Sequence, residues 1–309
     1  MISKYQLVNN GFWPVPAGQP PDWVDLENPN SEELTEISGQ YSLPPLFLVD
    51  PLDPRERPHT DTEEGAMLII VRVPLFRQNG GRVFATIPLG VIITPERVFT
   101  VCREAGLAKQ FIARQMRQPR QISRDSILFK ILIGCSSDFI HQLEVLEEMA
   151  ENAEQHLIKS QQNDQIITLL TIEKALINFS VALHSNRSIM ERIMGGILNR
   201  PLGGEEASWL DFALTENQQA IFTVEIFGQI VGSMGDAFGI IISNNLNKVM
   251  KFLTGVTIIL MVPTLIVGAY GMNVRLPLAD SAWAFAILSL ACLGLSVFIW
   301  RFFSRRKWI

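Results

Sequence analysis

Charge is missing from two long stretches of this chain. No Asp, Glu, Lys or Arg lies between Lys251 and Arg275, and none lies between Asp280 and Arg301. About 20 apolar-dominated residues at 1.5 Å rise are what a helix needs to cross a hydrocarbon core roughly 30 Å thick. Each stretch therefore reads as a membrane-crossing helix, and the short link between them makes the C-terminal end a helical hairpin. Cysteine is scarce: Cys102, Cys135 and Cys292 are odd in number and far apart, which excludes a disulfide framework and a thiolate metal site. They read as buried apolar residues. No Gly-rich phosphate loop ending in Lys-Ser or Lys-Thr, no nucleophile elbow and no paired-His motif is present, so neither an ATP-driven pump nor an enzyme is expected. A net charge of −5 excludes a nucleic-acid surface of any size. The opening Met1-Ile2-Ser3-Lys4-Tyr5-Gln6 lacks the charged start and apolar core of a cleaved signal, which predicts a cytoplasmic N-terminal domain.

The remainder of the chain is ordinary globular material. Residues 1–125 alternate short apolar runs with turn signals. Strands are expected at 5–8, 46–49, 67–73, 83–87 and 91–93, and helices at 31–36, opened by Ser31, and 103–117. That alternation predicts an α/β layer domain. Residues 126–208 change to helical periodicity, with a polar turn at 160–164, and predict an antiparallel helical pair. Glu144, Glu147, Glu148, Glu151 and Glu154 form the solvated face of its first helix, and His141, His156 and His184 lie on unrelated faces. The acidic run at 50–64 reads as a solvated turn, because it shows no fixed ligand spacing.

Proline is absent from 209 to 262, and Ser208 is a suitable N-cap. One helix of about 60 residues, roughly 90 Å, is therefore expected from the soluble part into the bilayer. It divides into a stalk at 209–250 and a first span at 251–273; an outer turn at 274–281, a second span at 282–302 and a basic tail at 303–309 follow. The fold class expected is α+β membrane protein: an N-terminal cytoplasmic α/β domain, a long helical stalk and two C-terminal transmembrane helices. Gly228, Gly232, Gly235 and Gly239 recur along one edge of the stalk, as a flexible joint or as a close-packing surface.

Asp236, Gly239, Ser243, Asn247, Met250, Thr254, Thr257, Met261, Thr264 and Gly268 follow one another at steps of three or four. They place small and hydroxyl-bearing residues on one helical stripe. Such a stripe either allows close helix packing or lines a water-filled path. A single stripe cannot enclose a pore, so the second reading requires several copies of the chain round an axis.

The run Asn247-Lys248-Val249-Met250-Lys251-Phe252-Leu253-Thr254, then Pro263-Thr264, then Tyr270-Gly271-Met272-Asn273 resembles the pore helix of the CorA family of magnesium transporters. The closing Arg305-Arg306-Lys307-Trp308-Ile309 is similar to that family's basic, tryptophan-containing end. The resemblance implies a homopentamer in the lipid bilayer, with Mg2+ as the transported and regulatory ion. It also implies an ion-binding selectivity filter at Gly271, Met272 and Asn273, with the stripe residues lining the pore. Mg2+ releases its waters reluctantly, and a ring of Asn273 amide oxygens can hold the hydrated ion without stripping it. Met250 and Met261 then serve as apolar constrictions. Asp236 stands where the resemblance puts an acidic ring, and Asp236 and Asp211 are the candidate regulatory carboxylates. The outer turn departs from the family's usual acidic pattern, with Arg275 and Asp280 as its one charge of each sign.

Lys248 and Lys251 precede the first span and Arg301, Arg305, Arg306 and Lys307 follow the second, which predicts both termini on the cytoplasmic side of the cell's plasma or inner membrane. Two other readings remain open at this point: a transporter of the same build for Zn2+, Co2+ or Ni2+, and a cytoplasmic binding module that the hairpin only tethers.

Overall fold

The computed structural model describes the chain except residues 9–10, 16–18, 78–82, 116–123, 125, 161–163, 199, 273, 275–276, 278–282 and 307–309. It forms two compact units, Met1–Ser233 and Met234–Ile309.

The first unit is built on a seven-stranded sheet in the order β2-β1-β3-β7-β6-β5-β4. Its strands are β1 (Ile2–Val8), β2 (Gly11–Pro14), β3 (Trp23–Glu27), β4 (His59–Glu63), β5 (Ala66–Arg77), β6 (Val83–Ile93) and β7 (Val98–Cys102). Only β3 and β7 pair in parallel; the other neighbours are antiparallel. One face carries Val24, Leu26, Leu68, Ile70, Ile92 and Val101 against Ile37 of α1 (Ser31–Tyr41) and Phe47 and Leu48 of α2 (Pro45–Val49). The opposite face is covered by α3 (Leu107–Gln115), α4 (Ser126–Ser160) and α5 (Asp164–Met194). The central strands are thus buried on both sides, which their near-continuous apolar character requires.

Local chemistry sets the element ends. Asn30, one residue before the expected Ser31, caps α1: its Oδ1 accepts the Glu33 N–H at 2.8 Å while Glu33 Oε2 accepts the Asn30 N–H at 2.9 Å, a reciprocal capping box. The expected strand at 46–49 is the helix α2, because Pro45 occupies its first turn and presets a helical φ. Residues 83–93 form one strand where two short ones were expected. Strands β3 and β7 were not anticipated; charges at Asp25 and Glu27 hide the apolar pattern of the first. Gly134 of α4 carries the close approach of α3, since a Cβ there would lie 2.6 Å from Phe111 Cβ.

The end of β4 explains how α5 is fixed. Strand β4 stops at His59, opposite Ile70, so the main-chain groups of Arg72, two residues further along β5, have no strand partner on that side. Asn186 of α5 replaces the missing partner: its Oδ1 accepts the Arg72 N–H at 2.9 Å and its Nδ2 donates to the Arg72 carbonyl at 2.7 Å. The Arg72 side chain donates to the Thr86 hydroxyl and to the carbonyls of Pro54 and Glu56, so it pins the start of the acidic run to the sheet; the run, expected as a solvated turn, ends in strand β4 at His59–Glu63.

Helix α6 (Gly204–Tyr270) starts four residues before the expected cap at Ser208. Glu206 accepts the Gly203 N–H at 2.8 Å and pairs with both terminal nitrogens of Arg200 at 2.7 Å. Within the first unit Asn217 of α6 donates to the Leu183 carbonyl of α5 at 3.1 Å. The second unit contains the rest of α6, which passes through Pro263 without ending, and α7 (Ala284–Arg305). Among the described residues three helices are long and apolar enough to cross a membrane: 165–194 in α5, α6 and α7. Helix α5 commits one side, including Ile172, Phe179, Leu183 and Met190, to the soluble core.

Replacing Asn186 with Leu leaves the Arg72 N–H without a partner and its carbonyl with only the weak Cys135 thiol donor, at 3.5 Å. Thermal or denaturant unfolding of the purified protein should show a loss of about 2–4 kcal/mol, since each orphaned buried group costs about 1–3 kcal/mol.

Candidate ion path

All ten stripe residues, Asp236, Gly239, Ser243, Asn247, Met250, Thr254, Thr257, Met261, Thr264 and Gly268, are on α6 in the second unit and all ten are exposed. A different stripe of the same helix is sheltered: Gly255 is buried and Ile259, Val262 and Ile266 are half-buried. At 100° per residue the two stripes lie roughly 140° apart. Helix α7 has a matching sheltered row at Ala284, Leu288, Cys292, Ser296, Ile299 and Phe303. One apolar row of each helix is sheltered; the polar row is exposed, as are the outward apolar residues Phe252, Leu260, Leu265, Leu290 and Phe298.

The hydroxyls on that free edge have a defined polarity. Thr257 and Thr264 donate their Oγ1–H to the carbonyls four residues earlier, Leu253 and Leu260, each at 2.8 Å. With the proton so placed, only acceptor lone pairs point outward. A hydrated cation presents water O–H donors, so an edge of acceptors suits it and does not compete for its inner shell.

At the end of the helix Gly271 N–H reaches Val267 O at 2.9 Å and Met272 N–H reaches Ala269 O at 3.3 Å. Tyr270 donates to the Pro277 carbonyl at 3.1 Å, closing the turn. Gly271 does not occupy the left-handed region, and a Cβ there would lie 3.4 Å from Val267 O, an ordinary contact. Backbone freedom within one chain is therefore not what the glycine supplies. Asn273, the central residue of the expected filter, lies outside the described residues, as do Arg275 and Asp280; Gly271 and Met272 are exposed beside it.

The sequence of the family described as CorA-like Mg2+ transporter protein matches residues 18–306. The chain belongs to the CorA family. It is 27% identical over 296 residues to the cobalt/magnesium transport protein CorA of Methanocaldococcus jannaschii, covering 93% of this chain and 91% of that one. To the protein of the same description from Thermotoga maritima it is 22% identical over 297 residues, covering 94% and 84%. The complete structure of the M. jannaschii CorA magnesium transporter superposes with a TM-score of 0.82 at 23% identity, covering 100% of this chain and 99% of that one. The full-length CmaX protein gives 0.71 at 16% identity, covering 99% and 97%. The fold is thus that of a membrane protein with an N-terminal α/β domain, a long helix and C-terminal apolar helices.

In this CorA-family chain the carboxylates singled out from the sequence fall in different units, Asp211 in the first and Asp236 in the second. Both are exposed, and no group of three or more His, Cys, Asp or Glu that could hold a metal occurs among the described residues. His141 pairs with Glu144 at 3.4 Å and His184 with Glu225 at 3.3 Å, so both have acidic neighbours and neither joins a ligand set. A Cβ added at Gly228, Gly232, Gly235 or Gly239 would meet open space.

Because the two threonines are exposed and their protons close on their own helix, Thr257→Val and Thr264→Val should leave the folded chain within about 0.5 kcal/mol of the parent. Helical circular dichroism and the apparent thermal midpoint measure this; a large loss would mean that the stripe is packed within one chain.

Proposed function

We propose that this CorA-family protein is a homopentameric, channel-type transporter of hydrated Mg2+. The single observation that carries the reading is the exposed edge of α6: ten residues, eight of them polar or small with Met250 and Met261 between, on the side of the helix away from the sheltered row of Gly255, Ile259, Val262 and Ile266. A row of hydroxyl and amide groups facing hydrocarbon is unfavourable. Several copies arranged about an axis turn every such edge onto one shared aqueous path.

Helices 251–273 and 282–302 are the spans, with both termini cytoplasmic, as the basic residues Lys248, Lys251, Arg301, Arg305 and Arg306 favour. Helix α5 stays outside the membrane, because its buried side and the Asn186 clamp hold it to the sheet. Asn273, ringed at the outer end with the carbonyls of Gly271 and Met272, selects the ion through its water shell. Met250 and Met261 narrow the path. The membrane potential supplies the energy: a divalent ion gains roughly 4.6 kcal/mol per 100 mV on moving inward. Mg2+ bound between the cytoplasmic domains, with Asp211 and Asp236 as candidate ligands, holds the path shut. The family name and the relatives' description as cobalt/magnesium transport proteins support Mg2+ and make Co2+ the nearest competitor.

Flux into vesicles containing the purified protein tests the reading. Inward Mg2+ flux should be present at low internal Mg2+ and fall as internal Mg2+ rises. Asn273→Ala should abolish it, and Thr257→Val with Thr264→Val should reduce it by about tenfold, the loss of roughly 1.4 kcal/mol of hydrogen bonding to the ion's waters. Faster flux of Zn2+, Co2+ or Ni2+ than of Mg2+ would reassign the ion. Vesicles that stay tight to every divalent ion would leave the hairpin as a tether only.

A further inference from the structure

Three ionisable side chains meet inside the first unit, on the sheet face that α3 covers. Asp25 and Glu27, two residues apart on β3, are 2% and 8% exposed. Lys109 of α3 places its Nζ 2.7 Å from Glu27 Oε1 and 3.6 Å from Asp25 Oδ2, with Tyr5 of β1 beneath it at 5.3 Å. The Gly106 N–H, just before α3, also donates to Glu27 Oε1, at 3.0 Å. Behind Asp25 runs a relay: Trp23 Nε1–H donates to Thr100 Oγ1 at 2.9 Å, and the Thr100 hydroxyl donates to Asp25 Oδ1 at 2.6 Å. The other carboxyl oxygen, Asp25 Oδ2, is buried with no hydrogen-bond partner.

The arrangement does not balance in charge. One ammonium serves two carboxylates, and a second buried negative charge whose Oδ2 has no hydrogen-bond donor is costly. A proton on Asp25 removes the excess charge and gives Oδ2 a hydrogen to share with Glu27. We propose that Asp25 and Glu27 form a proton-binding site beneath α3, and that the bound proton keeps α3 seated on the sheet. Without it, the two carboxylates are relieved only by water, and the route for water is the α3 side, where Gly106 and Lys109 bond Glu27.

The surrounding groups agree with this. Burial, the largest influence, raises the Asp25 carboxyl from 3.8 to about 7; the Thr100 hydroxyl and Lys109 oppose the rise and the charge of Glu27 adds to it. For Glu27 burial is outweighed by the Lys109 ammonium and the Gly106 N–H, which hold it below the usual range. Lys109 is itself raised despite burial, first by its bond to Glu27. Cys102 of β7 is pushed up to about 12 by burial and stays neutral. Tyr5 on β1 completes the titratable neighbours. Since the folded value of Asp25 lies above the unfolded one, the seated state holds more protons, and its stability falls as pH rises from about 4 to about 7 and is flat beyond.

Hydrogen exchange of the full-length protein in detergent, corrected for the intrinsic rate, tests this. Between about pH 6 and about pH 8 the opening equilibrium of α3 should rise about tenfold, while β5 and β6 are unchanged. In Asp25→Asn the α3 protection should be the same at both pH values. Should that variant fail to fold, the parent protein alone decides. Equal α3 protection at both pH values in the parent, or an Asn variant that keeps the pH response, overturns the proposal.

Discussion

A polar side chain gains nothing from hydrocarbon, and the free edge of α6 obeys that constraint only if something wet or polar lies against it. Everything proposed for transport depends on this. One row of each hairpin helix is sheltered, with Gly255 and Cys292 on those rows. The edge carrying Thr257 and Thr264 is exposed. In the assembly proposed, small residues such as Gly239 and Gly268 would let copies approach and the hydroxyls would keep water between them.

The first unit solves a different problem, that of fixing long helices to a sheet whose edge strand is short. Strand β4 stops before Arg72, and Asn186 supplies an amide in its place. The same arginine ties down the acidic run at 50–64 through main-chain carbonyls. A segment that looks from its carboxylates like a cation site is thereby committed to structure. On the same sheet Asp25, Glu27 and Lys109 form a polar core that is satisfied by a shared proton better than by the lysine alone.

Much of the membrane half was legible in the residues, because a charge-free run of spanning length and a stripe at helical spacing are one-dimensional signals. The soluble half was less so. The run at 46–49 has strand composition and became α2 once Pro45 opened a helix. Strand β3 was concealed by Asp25 and Glu27, which are buried in spite of their charge because Lys109, 82 residues from Glu27, comes to meet them. The start of α6 depended on Arg200 and Gly203 meeting Glu206, not on the serine that looked like a cap.

By itself the sequence determined the two apolar helices, the polar edge and the Tyr270-Gly271-Met272-Asn273 ending, since each follows from local composition and a helical period. Only the tertiary structure decided which row of α6 is sheltered, that Asn186 meets the main chain of Arg72, and that Asp25 lies buried beside Glu27. Those facts rest on contacts between residues distant along the chain, and a period or a composition carries no information about which distant groups will share a desolvated space.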